Sequence, residues 1–207
     1  MSIYEKYILP KFLDFACNLE GFKNKRSQIV PQAYGNVLEI GIGSGLNLDF
    51  YDFTKITSIV GVDPAIRSLA MARERALKKG VNHKFSFMAL SAETLPLKDN
   101  YFDTALIAYS LCTIPNPELA LHEIKRVLKP EGKLLFMEHG LSPEKNIQKW
   151  QNRLTPHWKK LAGGCHMNRD IEEILQNAGF KFEKIKKKYI KGPKILAFNY
   201  YGIASKT

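Results

Sequence analysis

Apolar runs that alternate with helix-compatible segments are the main pattern along this chain. Short apolar runs predict strands at residues 37–40, 58–63, 85–90, 102–108 and 133–137. Helical periodicity predicts helices at residues 46–53, 67–79, 115–128 and 168–178. Residues 181–190 and 195–204, on either side of Gly192-Pro193, predict a closing hairpin. The βαβ rhythm therefore predicts an α/β fold with a seven-stranded, mostly parallel sheet, an antiparallel closing strand and helices on both faces.

The N-terminal part of the chain precedes this rhythm. Residues 3–19 place apolar side chains near a helical period, but Pro10 predicts either a kink or two short helices. Residues 21–35 are basic and predict a connector into the first strand. Since the sequence shows no internal repeat, we predict a single domain over residues 1–207, with residues 1–35 as its N-terminal helical segment.

The first predicted strand ends in a glycine-rich turn. Residues 37–46 read Val-Leu-Glu-Ile-Gly-Ile-Gly-Ser-Gly-Leu. The glycines lie at alternate positions, Gly41, Gly43 and Gly45. Glycine adopts φ > 0 and lets the backbone approach a ligand closely because it has no Cβ. A helix that begins after such a turn offers unpaired N–H groups, so this stretch predicts a ligand-binding loop.

Two acids indicate which ligand this loop binds. The spacing is Gly-x-Gly-x-Gly, whereas dinucleotide-binding proteins use Gly-x-Gly-x-x-Gly. Glu39 lies inside the strand, where its charge would repel a pyrophosphate and attract an ammonium group. Asp63 follows the second strand, in position to accept hydrogen bonds from ribose hydroxyls. An ammonium group and a ribose in one ligand predict S-adenosylmethionine.

The two acidic motifs resemble the first two motifs of class I S-adenosylmethionine-dependent methyltransferases. They are Glu39-Ile-Gly-Ile-Gly-Ser-Gly45 and Val62-Asp63-Pro64. The resemblance implies a Rossmann-like class I methyltransferase sheet, methyl transfer from S-adenosylmethionine and S-adenosylhomocysteine as the product. The implied cofactor-binding residues are Glu39, Gly41, Gly43, Gly45, Asp63, Pro64, Ser91, Ala92, Glu93, Ala108 and Tyr109. Ser91 replaces the first acid of the usual acid-Ala-Glu motif, so we expect the Ser91 hydroxyl or the Ala92 backbone to contact the adenine.

Later motifs resemble a narrower group, the methyltransferase-like alkyl-thiol S-methyltransferases. The motifs are Leu111-Cys-Thr-Ile114, Glu123-x-x-Arg-Val-Leu-Lys-Pro-x-Gly132, Phe136-Met-Glu-His139, and Trp158 followed by Gly164-Cys-His-x-x-Arg169. The resemblance runs from about residue 37 to residue 180. It implies a small apolar acceptor, with a thiol favoured, and a substrate-side insertion at residues 141–168. The human members carry an apolar N-terminal anchor, which we do not expect here.

Two other functions stay open at this point. Ubiquinone and menaquinone C-methyltransferases share the generic motifs, so a quinone or a lipid modified at carbon or nitrogen is an alternative acceptor. A protein that binds S-adenosylmethionine without catalysis, or that associates with RNA, would retain the same cofactor motifs. The excess of basic residues favours the RNA alternative only weakly.

The sequence contains no marked catalytic triad, and methyl transfer requires positioning and exclusion of water more than acid–base groups. His139 follows the fifth strand and is the candidate base, with a structural role as the alternative. Glu138 is expected to accept a hydrogen bond at the strand end, and Cys112 to pack as an apolar side chain. Cys165 and His166 lack a second ligand pair, so we predict no metal site.

Composition and charge limit the setting and the partners. The sequence of 207 residues has no apolar run near the roughly 18 residues of a membrane span and no signal-peptide pattern. Its three cysteines, Cys17, Cys112 and Cys165, are far apart and odd in number, which predicts a reducing, cytoplasmic setting. The sequence does not predict an oligomeric state.

Part of the net charge of +11 is concentrated in a lysine cluster near the C-terminus. The cluster consists of Lys181, Lys184, Lys186, Lys187, Lys188, Lys191 and Lys194. Such charge attracts nucleic acid or an anionic membrane, but it also protects a sheet edge from pairing with other chains. We favour edge protection. We therefore expect a small-molecule acceptor, no specific nucleic acid, and a peripheral contact with an anionic membrane as the remaining candidate partner.

Overall fold

A seven-stranded sheet forms the centre of the structure, a computed structural model that describes residues 9–206 except for the side chains of Lys11, Leu13 and Ala16. The strands are β1 (Gly35–Ile40), β2 (Ile56–Val62), β3 (Phe85–Met88), β4 (Phe102–Ala108), β5 (Leu128–His139), β6 (Phe180–Tyr189) and β7 (Phe198–Lys206). Their order is β3-β2-β1-β4-β5-β7-β6. Strands β1 to β5 pair in parallel, and β7 is antiparallel to both β5 and β6. The predicted sheet and its antiparallel closing strand are confirmed.

Helices cover both faces of the sheet. They are α1 (Leu9–Cys17), α2 (Glu20–Ile29), α3 (Ile66–Lys78), α4 (Pro117–Val127), α5 (Lys145–Leu161), α6 (Ile171–Asn177) and α7 (Lys194–Ala197). Neighbouring strand residues point to opposite faces. Leu38 accordingly packs in a core with α4 and α6, whereas Val37 packs in a second core with Ile29 of α2. This burial of both faces explains why the parallel strands are almost continuously apolar.

The segment after the glycine turn differs from the prediction. A helix was expected at residues 46–53, but residues 43–50 form consecutive turns. The amides of Leu48 and Phe50 bond to carbonyls three residues earlier, those of Gly45 and Asn47. Gly43 and Gly45 have φ of 56° and 81°, which interrupts helical backbone geometry. The loop therefore offers its ligand individual amides and not the N-terminus of a helix.

The N-terminal segment contains two helices, but they are not the pair that a break at Pro10 would give within residues 3–19, because only α1 lies in the described part of that stretch. The break lies between α1 and α2 at Asn18 and Leu19, whereas Pro10 sits in the first turn of α1, where a missing N–H is harmless. Helix α2 replaces the predicted basic connector at residues 21–35. The start of the apolar pattern, at Tyr4 and Ile8, lies outside the described residues.

The C-terminal third contains two helices that the sequence pattern did not predict, α5 and the short α7, which occupies the start of the strand expected at residues 195–204. Helix α5 occupies most of the aromatic and polar stretch at residues 141–168. The next helix begins later than expected, because Asp170, and not Asn168, accepts the amides of Glu172 and Glu173 as its N-cap. The closing hairpin around Gly192-Pro193 is confirmed. None of the helices found within residues 9–206 has the length and apolar character to cross a membrane.

The lysine cluster lies mainly on β6, which is one of the two edge strands of the sheet. The partly buried side chains of this strand, such as Ile185 and Tyr189, pack on the core, while the lysines between them are exposed. Lys187 pairs with Glu172 of α6 at 2.7 Å, and Lys194 pairs with Glu144 at 3.0 Å. This placement is the one that the edge-protection interpretation requires.

Replacing Lys186 and Lys188 together with valine is expected to make the protein aggregate faster. The substitutions remove charge from a strand whose outer backbone groups have no partner strand within residues 9–206. Light scattering at physiological ionic strength measures the effect. The matched control replaces Lys145 and Lys149 of α5, which are equally exposed but lie on a helix. Equal aggregation of both variants would contradict a protective role for β6.

Candidate cofactor and acceptor site

The candidate site lies at the carboxyl ends of β1, β2, β4 and β5, the edge at which open α/β sheets bind ligands. Gly41 follows β1 with φ of 65°. A Cβ at this position would lie 2.0 Å from Ser110 Oγ, so only glycine lets the β1 turn approach the end of β4 this closely. At Gly45 a Cβ would lie 3.1 Å from Ala72 of α3. The glycines thus fix the loop against two neighbouring elements.

Glu39 is completely buried in β1. Its Oε1 accepts a hydrogen bond from Asn47 Nδ2 at 2.7 Å, and its Oε2 accepts one from Tyr51 Oη at 2.8 Å. Burial raises the pKa of Glu39 to about 7, against the hydrogen bonds from Tyr51 and Asn47 and the charge of Arg26, which lower it. A cationic ligand group would favour the ionised form of this carboxyl group.

Arg26 of α2 completes the surroundings of Glu39. Its Nε donates to Asn47 Oδ1 at 2.8 Å, and its Nη1 donates to the Cys17 carbonyl at 2.6 Å. The guanidinium carbon also lies 5.4 Å from the centre of the Tyr109 ring. Helix α2 therefore carries a buried cation to the site, although the sequence predicted only a connector there.

Helix α1 also contacts the glycine loop. Asp14 accepts a hydrogen bond from Ser44 Oγ, and its Oδ1 pairs with Arg75 of α3 at 3.0 Å. Helix α1 therefore packs against the glycine loop and connects it to α3.

Asp63 follows β2 and connects two backbone segments. Its Oδ2 accepts the Gly43 amide at 3.0 Å, and its Oδ1 accepts the Ala65 amide at 2.8 Å. Burial raises the pKa of Asp63, while the bonds from Ala65 and Gly43 lower it. Pro64 is exposed and precedes Ala65, the N-cap of α3, so it lies between β2 and the start of that helix. The second acid thus holds the glycine loop in place from the β2 side.

Ser91, Ala92 and Glu93 lie after β3. Ser91 Oγ donates to Glu93 Oε2 at 2.8 Å, and the Asn116 amide donates to Glu93 Oε1 at 2.6 Å. Ala92 is buried, whereas Ser91 is exposed. The Ser91 hydroxyl is thus engaged within this loop, since its Oγ also accepts the Glu93 amide at 3.3 Å, and the adenine contact expected of Ser91 or Ala92 stays a prediction.

Ala108 ends β4, and Tyr109 follows it. Tyr109 has φ of 57°, a conformation that costs free energy in residues with a side chain and often marks functional sites. Its Oη donates to Asn199 Oδ1 at 2.8 Å, and its ring packs edge-on against Phe22 at 4.7 Å between centroids. Burial raises the pKa of Tyr109. These contacts hold β4 and α2 together beside the glycine loop.

These features fit S-adenosylmethionine. The buried Glu39 suits an ammonium group, the turn at Gly41 brings bare backbone to the sheet edge, and Asp63 stands at the end of the neighbouring strand. The sequence motifs identified these elements. They did not identify Arg26, Asn47 and Tyr51, although an inward-facing stripe of α2 at residues 22, 26 and 29 was a signal of a packed helix.

A cluster of sulfur and imidazole lies at the ends of β4 and β5. Cys112, His139 and Cys165 are buried, and their metal-ligating atoms all lie within 4.8 Å of one another. His139 Nε2 lies 3.1 Å from Cys165 Sγ. His166 does not take part, because its Nδ1 lies against the Cys112 carbonyl at 3.0 Å. The sequence motifs indicated no relation between these two cysteines, so the cluster was not predicted.

The charges of the cluster are strongly coupled. A hydrogen bond from Cys112 and the charge of His139 lower the pKa of Cys165. The same contact with Cys165, together with burial, raises the pKa of Cys112. Burial alone would lower the pKa of His139, but the neighbouring Cys165 thiolate raises it. One thiol of the pair therefore ionises readily while the other stays protonated.

Glu138 holds the turn that carries Cys112. Its Oε1 accepts the amides of Ser110 and Leu111 at 2.6 and 3.0 Å, which confirms the strand-end hydrogen bond predicted for it. Burial raises the pKa of Glu138 to about 7. Its Oε2 has no hydrogen-bond partner within residues 9–206.

Comparisons with known proteins agree with this geometry. A sequence model described as a methyltransferase domain matches residues 38–136. Rat thiol S-methyltransferase TMT1B is 30% identical, with 70% of this chain and 59% of the rat protein aligned, so this chain spans less than two thirds of that relative. Human thiol S-methyltransferase TMT1A is 28% identical, with 99% of this chain and 82% of the human protein aligned.

Two further similarities are more general. The ubiquinone/menaquinone biosynthesis C-methyltransferase UbiE of Brucella canis is 37% identical, with 56% of this chain and 44% of that protein aligned. The structure of a SAM-dependent methyltransferase from Methanosarcina mazei superposes with a TM-score of 0.68 at 23% identity and covers 84% of this chain and 93% of its own. The structural likeness shows that the fold is shared.

Replacing Asp63 with alanine is expected to weaken binding of S-adenosylmethionine and S-adenosylhomocysteine. Losing one buried hydrogen-bond partner costs about 1–3 kcal/mol, which is roughly fivefold or more in affinity. Release of the Gly43 and Ala65 amides adds to the effect. Calorimetry measures both affinities, with Asp49→Ala, an exposed acid on the same loop, as the control. Unchanged affinity in Asp63→Ala would exclude the proposed ribose contact.

S-adenosylmethionine binding is expected to weaken as the pH falls from 8 to 6. Glu39 titrates near pH 7, and only its ionised form attracts an ammonium group, so protonation removes the attraction. The loss is at most about tenfold per pH unit. Replacing Glu39 with glutamine should give weaker binding that depends less on pH. Equal pH profiles for the two proteins, measured by fluorescence or calorimetry, would show that Glu39 does not bind the ammonium group.

Proposed function

We propose that this chain, a class I S-adenosylmethionine-dependent methyltransferase, methylates the sulfur of a small apolar thiol. The similarity to human thiol S-methyltransferase TMT1A carries the proposal, because it covers 99% of this chain and so includes the acceptor side as well as the cofactor loop. The match to the general methyltransferase domain ends at residue 136, before His139 and Cys165 on the acceptor side.

The surroundings of His139 support an apolar acceptor. Leu111 and Met167 are buried, and Trp158 packs on the pair Cys112 and Cys165. A site with these neighbours offers apolar and polarisable contacts and few polar anchors. It therefore suits a small alkyl group better than a charged or strongly polar acceptor.

The chemistry demands little acid–base assistance. When bound, S-adenosylmethionine supplies a methyl group that passes from its sulfonium to the acceptor sulfur, while the thiol proton goes to solvent and S-adenosylhomocysteine is left. A free thiol has a pKa of about 8.5, so a few per cent is thiolate at neutral pH. The protein has to hold this sulfur in line and keep water out.

His139 is the residue we propose to position the acceptor sulfur. It is the last residue of β5, which pairs with β4. The turn after β4 contacts the glycine loop through Ser110 and the Gly41 carbonyl. Its Nε2 already lies 3.1 Å from one sulfur atom, that of Cys165. The imidazole is therefore placed for contact with sulfur and not for contact with solvent.

The purified protein is expected to methylate small alkyl thiols, with turnover that rises with pH up to the thiol pKa of about 8.5. Replacing His139 with alanine should lower turnover by roughly tenfold to a hundredfold, because a displaced acceptor reacts slowly. The affinity for S-adenosylmethionine should change much less. Labelled S-adenosylmethionine with a panel of thiols, quinols and RNA measures acceptor choice.

The control for His139→Ala is His122→Ala, an exposed histidine on α4. Methylation of a quinol with no thiol accepted would overturn the thiol proposal and favour the quinone alternative. Binding of S-adenosylmethionine without transfer to any member of the panel would favour a non-catalytic protein.

A further inference from the structure

The cluster of Cys112, His139 and Cys165 brings together two thiols and an imidazole, whereas positioning of the acceptor by His139 requires only the imidazole. Its three side chains come from three separate parts of the chain: the turn after β4, the end of β5 and the loop after α5. Folding nevertheless brings their ligating atoms within 4.8 Å of one another. Cys165 and His139 each keep 8% of their surface exposed, so the cluster is buried without being sealed.

Two thiols and an imidazole form a ligand set for zinc and similar soft divalent cations. Zinc–sulfur bonds of about 2.3 Å and zinc–nitrogen bonds of about 2.0 Å place tetrahedral ligands roughly 3.5–3.8 Å apart. The observed spacing reaches this geometry with side-chain shifts of about 1 Å or less. Three protein ligands also leave one coordination position open, as in catalytic zinc sites and unlike closed structural ones.

The charges around the cluster favour a cation. Glu138 is fully buried next to His139, and its Oε2 has no partner within the described chain. Arg169, whose charge interacts with this cluster, uses its Nη1 donors on the carbonyls of Leu111 and Ile114. Without a cation, one thiol stays protonated beside the other, and a divalent cation removes the repulsion that would oppose ionising both thiols next to the Glu138 carboxyl group.

We propose that Cys112, His139 and Cys165 bind one Zn²⁺ ion, and that its open position takes the sulfur of the acceptor thiol. The second half of this proposal rests on the proposed function, whereas the first half rests on the three side chains alone. Two thiolates and a neutral imidazole exactly balance the charge of Zn²⁺. A bound acceptor thiolate then carries the negative charge that attracts a sulfonium, and its proton is released to solvent.

Cobalt reports on such a site without any turnover. Reduced, metal-free protein titrated with Co²⁺ is expected to take up one ion per chain. Absorption bands from thiolate-to-cobalt charge transfer and from tetrahedral Co²⁺ should appear together, and Zn²⁺ should abolish both. Replacing Cys112 with serine should roughly halve the charge-transfer band, and replacing Cys112 and Cys165 together should remove it. Cys17→Ser, at the one cysteine outside the cluster, should leave it unchanged.

Folding is checked by S-adenosylmethionine binding, which uses other residues. A double cysteine variant that binds this cofactor normally but has lost the cobalt bands supports the site. Bands that persist in that variant, or wild-type protein that takes up no metal, would overturn it. A different result is that the reduced protein takes up no metal and forms a Cys112–Cys165 disulfide when the reductant is removed. That result would overturn the metal site and identify the two cysteines as a redox pair.

The acceptor half of the proposal has its own measurement. An alkyl thiol added to the cobalt protein should shift the charge-transfer bands, while the alcohol with the same alkyl group should not. Metal uptake without this shift would leave the metal site standing and overturn the acceptor contact. Full turnover of the thiol by the metal-free protein would show that the metal has no role in catalysis. The same result would support the thiol methyltransferase function.

Discussion

Burial of the Glu39 carboxylate in β1 is the constraint on which the cofactor side depends. An unpaired charge in this position would cost several kcal/mol. The compensating groups come from different segments: Asn47 and Tyr51 from the turns after the glycine loop, and Arg26 from α2. The chain after Gly45 therefore has to fold back toward β1. This requirement explains why consecutive turns replace the helix that its sequence favours.

The same constraint accounts for the docking of the N-terminal helices. The hydrogen bond from Arg26 to Asn47 requires α2 to lie across the glycine loop. The hydrogen bond from Ser44 to Asp14 requires α1 to lie against the same loop. Asp63 then holds the opposite side of the loop through the Gly43 amide. Two acids and one arginine thus shape the cofactor site within the protein itself, so little reorganisation is needed when the ligand binds.

The sequence predicted those parts of the structure whose signals lie within a single element. The parallel strands, the glycine turn and Asp63 belong to this class, because periodicity and motif spacing are local. Helix α2 was not predicted because its composition is mostly polar. Its inward-facing side includes a charged residue, Arg26, so it does not show the apolar periodicity that indicates a packed helix. The pairing of Cys112 with Cys165 was missed for a different reason. Their separation of 53 positions becomes a contact only when the loop after α5 returns to the end of β4.

The turn at residues 110–114 connects the cofactor loop to the acceptor side. Glu138 binds its first amides, and Arg169 binds the carbonyls of Leu111 and Ile114, so the turn is held from both sides. Ser110 at its start donates to the Gly41 carbonyl at 3.3 Å, and Cys112 within it belongs to the sulfur cluster. Any displacement of this turn would change both the cofactor loop and the position of the acceptor. Since methyl transfer depends on alignment of the donor sulfonium with the acceptor atom, a single rigid turn that touches both sides is an effective way to set their separation.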